Sequence, residues 1–266
     1  MKIFGKRLRV CFQINKTMNF SQKILIFVII FSSFFLWVHL SGFYDARAVM
    51  EDLGGLPWLY SSLVMLFSIL VGFIVQKQWD NWNGLVDSVK GEVDALGELY
   101  LWSRYLPDEY KDKFSKHIKY YLKEMIDNGL QKSEKEEKSE KIEKAFSSLE
   151  TMMFEMSQKD KDLMPTTFSF FYRIIEARTS RLKYSSHHIP EALKASLLFC
   201  TFLVIILCLF IGVKDVWLDY SFTVSLALMA YIIYIVIDDL DNPLIPGNWH
   251  LTTKDYQYML KQIEKD

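Results

Sequence analysis

"LGGLPWLYSSLVMLFSILVGFIVQ", residues 53–76, is the stretch of this chain that decides its fold. Its 24 residues include no charged side chain. A helix rises about 1.5 Å per residue, so about 20 residues cross a hydrocarbon core of roughly 30 Å. Residues 53–76 are therefore predicted to form a transmembrane helix.

Three other stretches lack charge over a similar length. Residues 24–40, 195–213 and 220–237 contain 17, 19 and 18 residues. One such stretch could be a buried helix of a soluble protein, but four together indicate a multi-pass protein whose partner is the lipid bilayer. The 31 basic and 32 acidic side chains nearly balance, which argues against a nucleic-acid partner.

The distribution of lysine and arginine predicts the orientation in the membrane. Residues 1–23 carry six basic side chains and no acid, whereas the connections 41–56 and 214–219 carry one basic side chain each. Basic flanks stay in the cytoplasm, so both termini are expected there, in a cell (inner) membrane. "DARA" at 45–48 also resembles a signal-peptide cleavage site, but Arg47 inside it and the long apolar run favour a retained anchor.

The segment between the second and third spans is predicted to be helical. No proline occurs from Trp79 to Leu106, and apolar residues recur every three to four positions, so the second span should continue as one long helix that ends before Pro107. Another helix is expected from an N-cap at Asp108 to a stop at Gly129. A last one should run from about residue 165 to residue 185.

The predicted fold class is an all-α integral membrane protein with four transmembrane helices and a helical cytoplasmic insert between spans 2 and 3. Its predicted parts are a basic cytoplasmic N-terminus (1–22), spans 1 and 2 (23–76), the cytoplasmic helical domain (77–192), spans 3 and 4 (193–238) and a cytoplasmic tail (239–266).

Nothing in the sequence predicts an enzyme or a metal site. There is no Gly-rich phosphate loop, nucleophile elbow or HExxH motif. The adjacent His187 and His188 would point about 100° apart on a helix rather than at one ion. Two of the three cysteines lie in a predicted span and the third on the reducing side, so no structural disulfide is expected.

Three aspartates, Asp238, Asp239 and Asp241, follow the fourth apolar run directly. Acids at a helix C-terminus face the negative end of its dipole, at a cost of about 0.3–1 kcal/mol each. Such a cost suggests a partner. The favoured interpretation is that these aspartates pair with basic residues of the helix predicted at about residues 165–185. The alternatives are a bound cation and plain solvation. Those basic residues are Arg173, Arg178 and Arg181.

Four local stretches resemble the bestrophin-like membrane proteins, and in particular their bacterial branch, formerly a domain of unknown function. The resemblance covers roughly residues 57–260. The stretches are "LVGFIVQKQWDNW" (70–82), "EVDALGELYLWSRYLP" (92–107), "EARTSRLKYSSHHIPEAL" (176–193) and "DDLDNPLIPG" (238–247).

This resemblance implies an ion channel assembled from several copies, with a pentamer favoured and the second span lining the pore. Bestrophins are anion channels gated by calcium, while some bacterial relatives prefer cations. Chloride is therefore the ion that the resemblance implies. The acidic run here is shorter than the calcium clasp of the animal proteins, so no cofactor is expected. Calcium is the only cofactor that the resemblance would imply.

The resemblance also implies a narrow apolar neck on the second span. Aligning Gly72 and Phe73 with the Gly-Phe pair of bestrophins places Met65, Ile69 and Phe73 in the pore, whereas aligning on Trp79 favours Leu66 and Leu70. The two outer connections are short, and four spans leave little room for a path inside one subunit. These features favour a channel formed between subunits. The alternative is a membrane scaffold or signalling protein that acts through its helical domain.

Overall fold

The computed structural model describes residues 19–41, 48–49, 54, 56–134, 140–212, 215–245 and 247–265. Most of the predicted basic N-terminus, with Arg47 of "DARA", lies outside the described residues. The described chain forms eight α-helices: α1 (Phe20–Leu40), α2 (Leu56–Ser103), α3 (Asp108–Glu134), α4 (Glu140–Lys159), α5 (Met164–Ser185), α6 (Glu191–Phe210), α7 (Val216–Asp241) and α8 (Lys254–Lys265).

Four of these helices are long and apolar enough to cross a membrane. They are α1, α2 from Pro57, α6 and α7, with mean hydropathies between 2.0 and 2.5 in their most apolar windows. In the described part of the chain the only strands are two residues long: β1 (Ala48–Val49) pairs in parallel with β2 (Ile211–Gly212). The predicted all-α fold with four spans is confirmed.

Helix α2 is one uninterrupted helix of 48 residues. Its apolar half is the quoted stretch, and its second half carries the charged residues that follow. Proline disrupts a helix because it lacks the amide donor, and α2 contains proline only at its N-terminal end. The prediction that the second span continues as one helix that ends before Pro107 is confirmed, since α2 ends at Ser103.

Three predicted helix boundaries are wrong. Asp108 is the first residue of α3 rather than its N-cap, because the Pro107 carbonyl accepts the first amides of the helix. Gly129 does not end α3, which runs to Glu134. One glycine destabilises a helix by only about 1 kcal/mol, and the burial of Met125 and Leu130 on either side of it outweighs this cost. Helix α7 continues past residue 237 to Asp241 and ends just before Pro243.

The chain divides into two compact units. The membrane unit contains, among the described residues, 19–78, 188–242 and 247–249. Its buried core is small, and most of its apolar side chains are at least partly exposed, as expected for helices surrounded by lipid. The buried core residues are Val71, Ile74, Ile189, Leu197 and Ile237.

The helical unit contains the described residues of 79–187, 243–245 and 250–266. Its core is formed by the second half of α2 together with α3, α4, α5 and α8. The apolar residues of each helix repeat at three and four positions, and this row is the one buried. Fully buried members include Val89, Leu96, Phe114, Ile118, Leu149 and Ile174.

Two helices of the helical unit approach closely at Gly84. A Cβ atom added to Gly84 would lie 2.6–2.9 Å from the ring of Tyr184. The same addition at Gly91 would meet only the Cβ of Ala177, at 3.8 Å. Contact of α2 with the Tyr184 ring of α5 therefore depends on the missing side chain at residue 84.

Candidate pore helix and ion pairs

The apolar half of α2 presents a row of large side chains that its own subunit leaves uncovered. Met65 is 66% exposed, Ile69 46% and Phe73 72%. These residues are four apart, so they lie on one face of the helix. Gly72, beside Phe73, has open space around it.

The alternative set of pore residues is divided between two environments. Leu66 is exposed, but Leu70 packs against the membrane-unit core with Val71 and Ile74. The structure therefore brings Met65, Ile69 and Phe73 together as one exposed row and separates Leu66 from Leu70. Other spans expose apolar residues as well, among them Ile30 of α1, so exposure alone does not distinguish this row from the other apolar faces.

Asp241 is a buried carboxylate at the end of α7. Lys194 of α6 lies with its Nζ 2.5 Å from Oδ2, and the amide of Ile189 donates to Oδ1 at 2.7 Å. The His188 ring nitrogen Nδ1 is 2.9 Å from the backbone carbonyl of Asp241. These contacts hold the end of α7 against the start of α6, and they explain a buried acid at a helix C-terminus.

Asp239 and Asp238 have different surroundings. Oδ2 of Asp239 accepts the amide of Asn248 at 3.0 Å, and a Cβ atom on Gly247 would lie 2.8 Å from Oδ1. Asp239 thus fixes the turn after Pro243. Asp238 is exposed, and its backbone carbonyl accepts from the side-chain amide of Asn242 at 2.9 Å.

The prediction that these aspartates pair with the arginines of α5 is wrong. Each arginine instead forms its ion pair with a glutamate of the helical unit: Arg173 with Glu98, Arg178 with Glu143 at 2.6 Å, and Arg181 with Glu92 at 2.6 Å. The helix that precedes the third span carries Arg178 and Arg181 into the core of the helical unit, whereas Arg173 stays about half exposed. The nearest cation for Asp241 is Lys194, one turn into α6.

Glu92 is the centre of a buried polar network. Its Oε2 accepts from Nε of Arg181 at 2.6 Å and from the hydroxyl of Tyr256 at 3.0 Å, and its Oε1 accepts from the hydroxyl of Tyr121. Glu92 and both tyrosines are 0% exposed, and Arg181 is 1% exposed. Four helices, α2, α3, α5 and α8, each contribute one side chain.

The network keeps its charges and its hydroxyl protons. Burial alone lowers the pKa of Arg181, but the Glu92 carboxylate and the two tyrosines outweigh burial, so the net pKa is raised. Burial, followed by the charge of Glu92, raises the pKa of Tyr121 and of Tyr256 well above the usual value. Glu92 therefore faces one cation and two neutral donors, which satisfies a buried carboxylate.

Sequence reasoning missed Glu92, Tyr121, Tyr256 and Lys194 as polar partners. A signal for Glu92 was present: it stands between Val89 and Leu96, at the three- and four-residue spacing of the buried face. Within the described residues, no group of three or more histidine, cysteine, aspartate or glutamate side chains is placed to hold a metal ion.

Comparisons with known proteins agree with this architecture. The family model of the bestrophin-like domain matches residues 26–245. Two single-residue variants of a bacterial bestrophin homologue from Klebsiella pneumoniae share 14% identity with the chain, with a TM-score of 0.67 each. They cover 91% of this chain and 95% or 97% of their own.

A variant of a crystallised membrane protein has 12% identity and a TM-score of 0.68 over 91% of this chain and 95% of its own. No curated protein matches the sequence. At these identities the structural likeness shows the fold alone, and the family model supplies the assignment. Since that model spans most of the chain and the four spans, the long α2 and the helical insert accompany it, this membrane protein belongs to the bestrophin-like family.

Proposed function

We propose that the chain is one subunit of an oligomeric ion channel in the inner membrane, with α2 of each subunit lining the pore. The observation that carries this proposal is the exposed row of Met65, Ile69 and Phe73 in a helix half without charge. Repeated around an axis, the row forms narrow apolar rings, and such rings gate ions by dewetting.

Several subunits are needed because the described residues of each membrane unit offer four spanning helices, too few to surround an aqueous path. The family supports assembly from identical copies, and the resemblance favours five. Both termini and the helical unit face the cytoplasm in this proposal, in line with the basic residues before the first span. Calcium is not required by any step of it.

Reconstitution in planar bilayers tests the channel directly. Met65→Ala, Ile69→Ala and Phe73→Ala widen the rings and should give larger or less regulated currents than the wild type. Ile30→Ala, on an equally exposed site of α1, is the matched control and should leave the current unchanged. Leu66→Ala and Leu70→Ala test the other alignment of the neck.

The absence of current above protein-free bilayers in every variant would contradict the channel and favour the scaffold alternative. Native mass spectrometry of the purified protein gives the number of subunits, and a monomer would contradict the proposal too.

Reporter fusions at residues 48 and 215 should report the outside, and a fusion at residue 140 the cytoplasm. A fusion at 140 that reported the outside would contradict the proposed topology.

The conducted ion has two candidates. Chloride is the ion that the family resemblance implies. A cation is the second candidate, and a specific observation favours it: three exposed aspartates, Asp80, Asp87 and Asp94, lie on α2 beyond its apolar half. The reversal potential in a KCl gradient distinguishes the two.

A further inference from the structure

Helix α5 exposes a row of large apolar side chains on the surface of the helical unit. Phe168 is 42% exposed, Tyr172 66% and Ile175 37%, and Met164 at the start of the helix is 39% exposed. Counting about 100° per residue, the other three lie within roughly 40° of Phe168 around the helix axis. Among the described helices, α5 is not one of the four that are apolar enough to cross a membrane. A contiguous apolar patch on such a helix marks a surface for a partner, and we call this one the α5 row.

The α5 row faces away from α2. The side of α5 that contacts α2 is identified by Arg173, which pairs with Glu98, and by Tyr184, whose ring lies against Gly84. Arg173 and Tyr184 are about 140° and 160° from Phe168 around the axis of α5. One side of α5 therefore packs on α2, and nearly the opposite side carries the exposed row.

A second apolar surface of the helical unit lies between α2 and α8. It is a groove of about 420 Å³. Leu101 of α2 lines the groove and is 55% exposed, and the buried side chains of Met259 and Ile263 line it from α8. The exposed Gln262 and Lys265 of α8 line it too. The α2–α8 groove thus combines apolar walls with a cation.

We propose that the α5 row of one subunit packs into the α2–α8 groove of the next subunit. The inference rests on the proposed function, which supplies identical copies around an axis without saying which surfaces of the helical units meet. A contact between two different surfaces of one chain is heterologous, and such contacts close into a ring when the rotation fits. The row faces away from α2 and the groove is formed by α2, so each subunit offers one surface to each of its neighbours.

The charges beside the two surfaces are complementary. Glu176 is exposed and follows Tyr172 by about 40° around α5, at the edge of the row. Lys265 lies at the groove. Among the described residues, neither Glu176 nor Lys265 forms an ion pair inside its own subunit. Docking of the row in the groove of a second copy brings an acid to a cation, whereas docking on a surface rich in anions would not.

The size of the α5 row fits a contact between subunits that are also held together elsewhere. A stable interface buries about 800 Å² on each partner. The four side chains of the row expose on the order of 400 Å², since a complete aromatic side chain counts about 150–250 Å². The row is therefore about half of a stable interface, and the proposed contacts between spans supply the remainder.

Chemical cross-linking in reconstituted vesicles tests this contact. The combination of Tyr172→Cys with Leu101→Cys, treated with a short bis-maleimide, should give a ladder of covalent oligomers up to the number of subunits. Each single variant should give no more dimer than the wild type, whose own cysteines set the background. Phe154→Cys with Leu101→Cys is the matched control, because Phe154 is an exposed apolar residue of α4, and it should give no ladder.

A charge exchange tests the edge of the contact. Glu176→Lys and Lys265→Glu should each lower the yield of the cross-linked ladder by about threefold, and the two changes together should restore it. Glu150→Lys, at an exposed acid of α4, should leave the yield unchanged. Unchanged elution of the monomer from a sizing column in denaturing-free detergent, or of the same oligomer as the wild type, shows that a variant is folded.

The outcomes separate this inference from the proposed function. An oligomer in native mass spectrometry that carries current, with no ladder from Tyr172→Cys and Leu101→Cys, would overturn the inference and leave the channel standing. A ladder of equal yield from the Phe154→Cys control would overturn it too. Quenching of a fluorescent label on Tyr172→Cys by spin-labelled lipid would place the row against the membrane surface instead. A monomer without current would overturn the proposed function itself.

Discussion

Arg181→Met should destabilise the protein more than any single substitution at an exposed ion pair. The change removes the only cation that Glu92 contacts at hydrogen-bond distance in the network described above. Its cost follows from burial, since Glu92 is 0% exposed and cannot recover water. Leaving one partner of a buried ion pair uncompensated costs about 3–5 kcal/mol.

The other members of the network should rank below this value. Tyr256→Phe removes one hydrogen bond to a charged acceptor and should cost about 1.5–3 kcal/mol. Combining Glu92→Gln with Arg181→Met leaves a neutral amide whose oxygen accepts from one tyrosine hydroxyl and whose NH2 group donates to the other. The pair of changes should therefore cost less than the sum of its two single changes, which is the coupling that a double-mutant cycle measures.

The assay is the apparent melting temperature of the purified protein in one detergent, at one heating rate. Arg173→Met is the matched control, because it removes an arginine of the same helix whose ion pair with Glu98 is about half exposed. Exposed pairs contribute about 0–1 kcal/mol. Equal melting temperatures for Arg181→Met and Arg173→Met would refute the view that a buried ion pair supports this unit.

Three further outcomes are expected from melting experiments of the same kind. Gly84→Ala should lower the free energy of unfolding by about 1–3 kcal/mol through its clash with Tyr184, while Gly91→Ala should be tolerated. Equal effects of the two substitutions would contradict the close approach of the helices at Gly84. Lys194→Met should lower the free energy of unfolding by about 1–3 kcal/mol, because it leaves the buried Asp241 carboxylate with fewer donors. Lys183→Met, which lies outside that contact, should lower it less. Stability should fall as the pH rises above about 10, because the raised pKa of Tyr121 and Tyr256 favours folding only while their hydroxyls stay protonated. Tyr121→Phe should weaken this pH dependence.

The spans and the length of α2 could be predicted because both depend on local composition. Uncharged runs long enough to cross a bilayer identify the four helices, and the absence of proline between Trp79 and Leu106 identifies the extension of α2. Helix ends were less predictable. Gly129 and the residues after position 237 are weak stop signals that packing overrides, and Pro243 gives the stronger one.

The partners of the charged residues could not be predicted from the sequence. Each arginine of α5 had many acids within reach in principle, and the choice of Glu92, Glu98 or Glu143 depends on how the helices pack. The pairing of Asp241 with Lys194 is similarly a contact between helices distant in sequence. Exposure on α2 likewise could not be read from composition, since Leu66 and Leu70 are four residues apart on one side of the helix, and yet Leu66 is exposed while Leu70 packs against the core.

The uninterrupted α2 has a structural consequence. Its 48 residues extend about 72 Å, more than twice the roughly 30 Å of the hydrocarbon core. About 40 Å of α2 therefore lies beyond the hydrocarbon core, and because an α-helix satisfies its own backbone hydrogen bonds, the same helix can continue from lipid into water without a loop between the two.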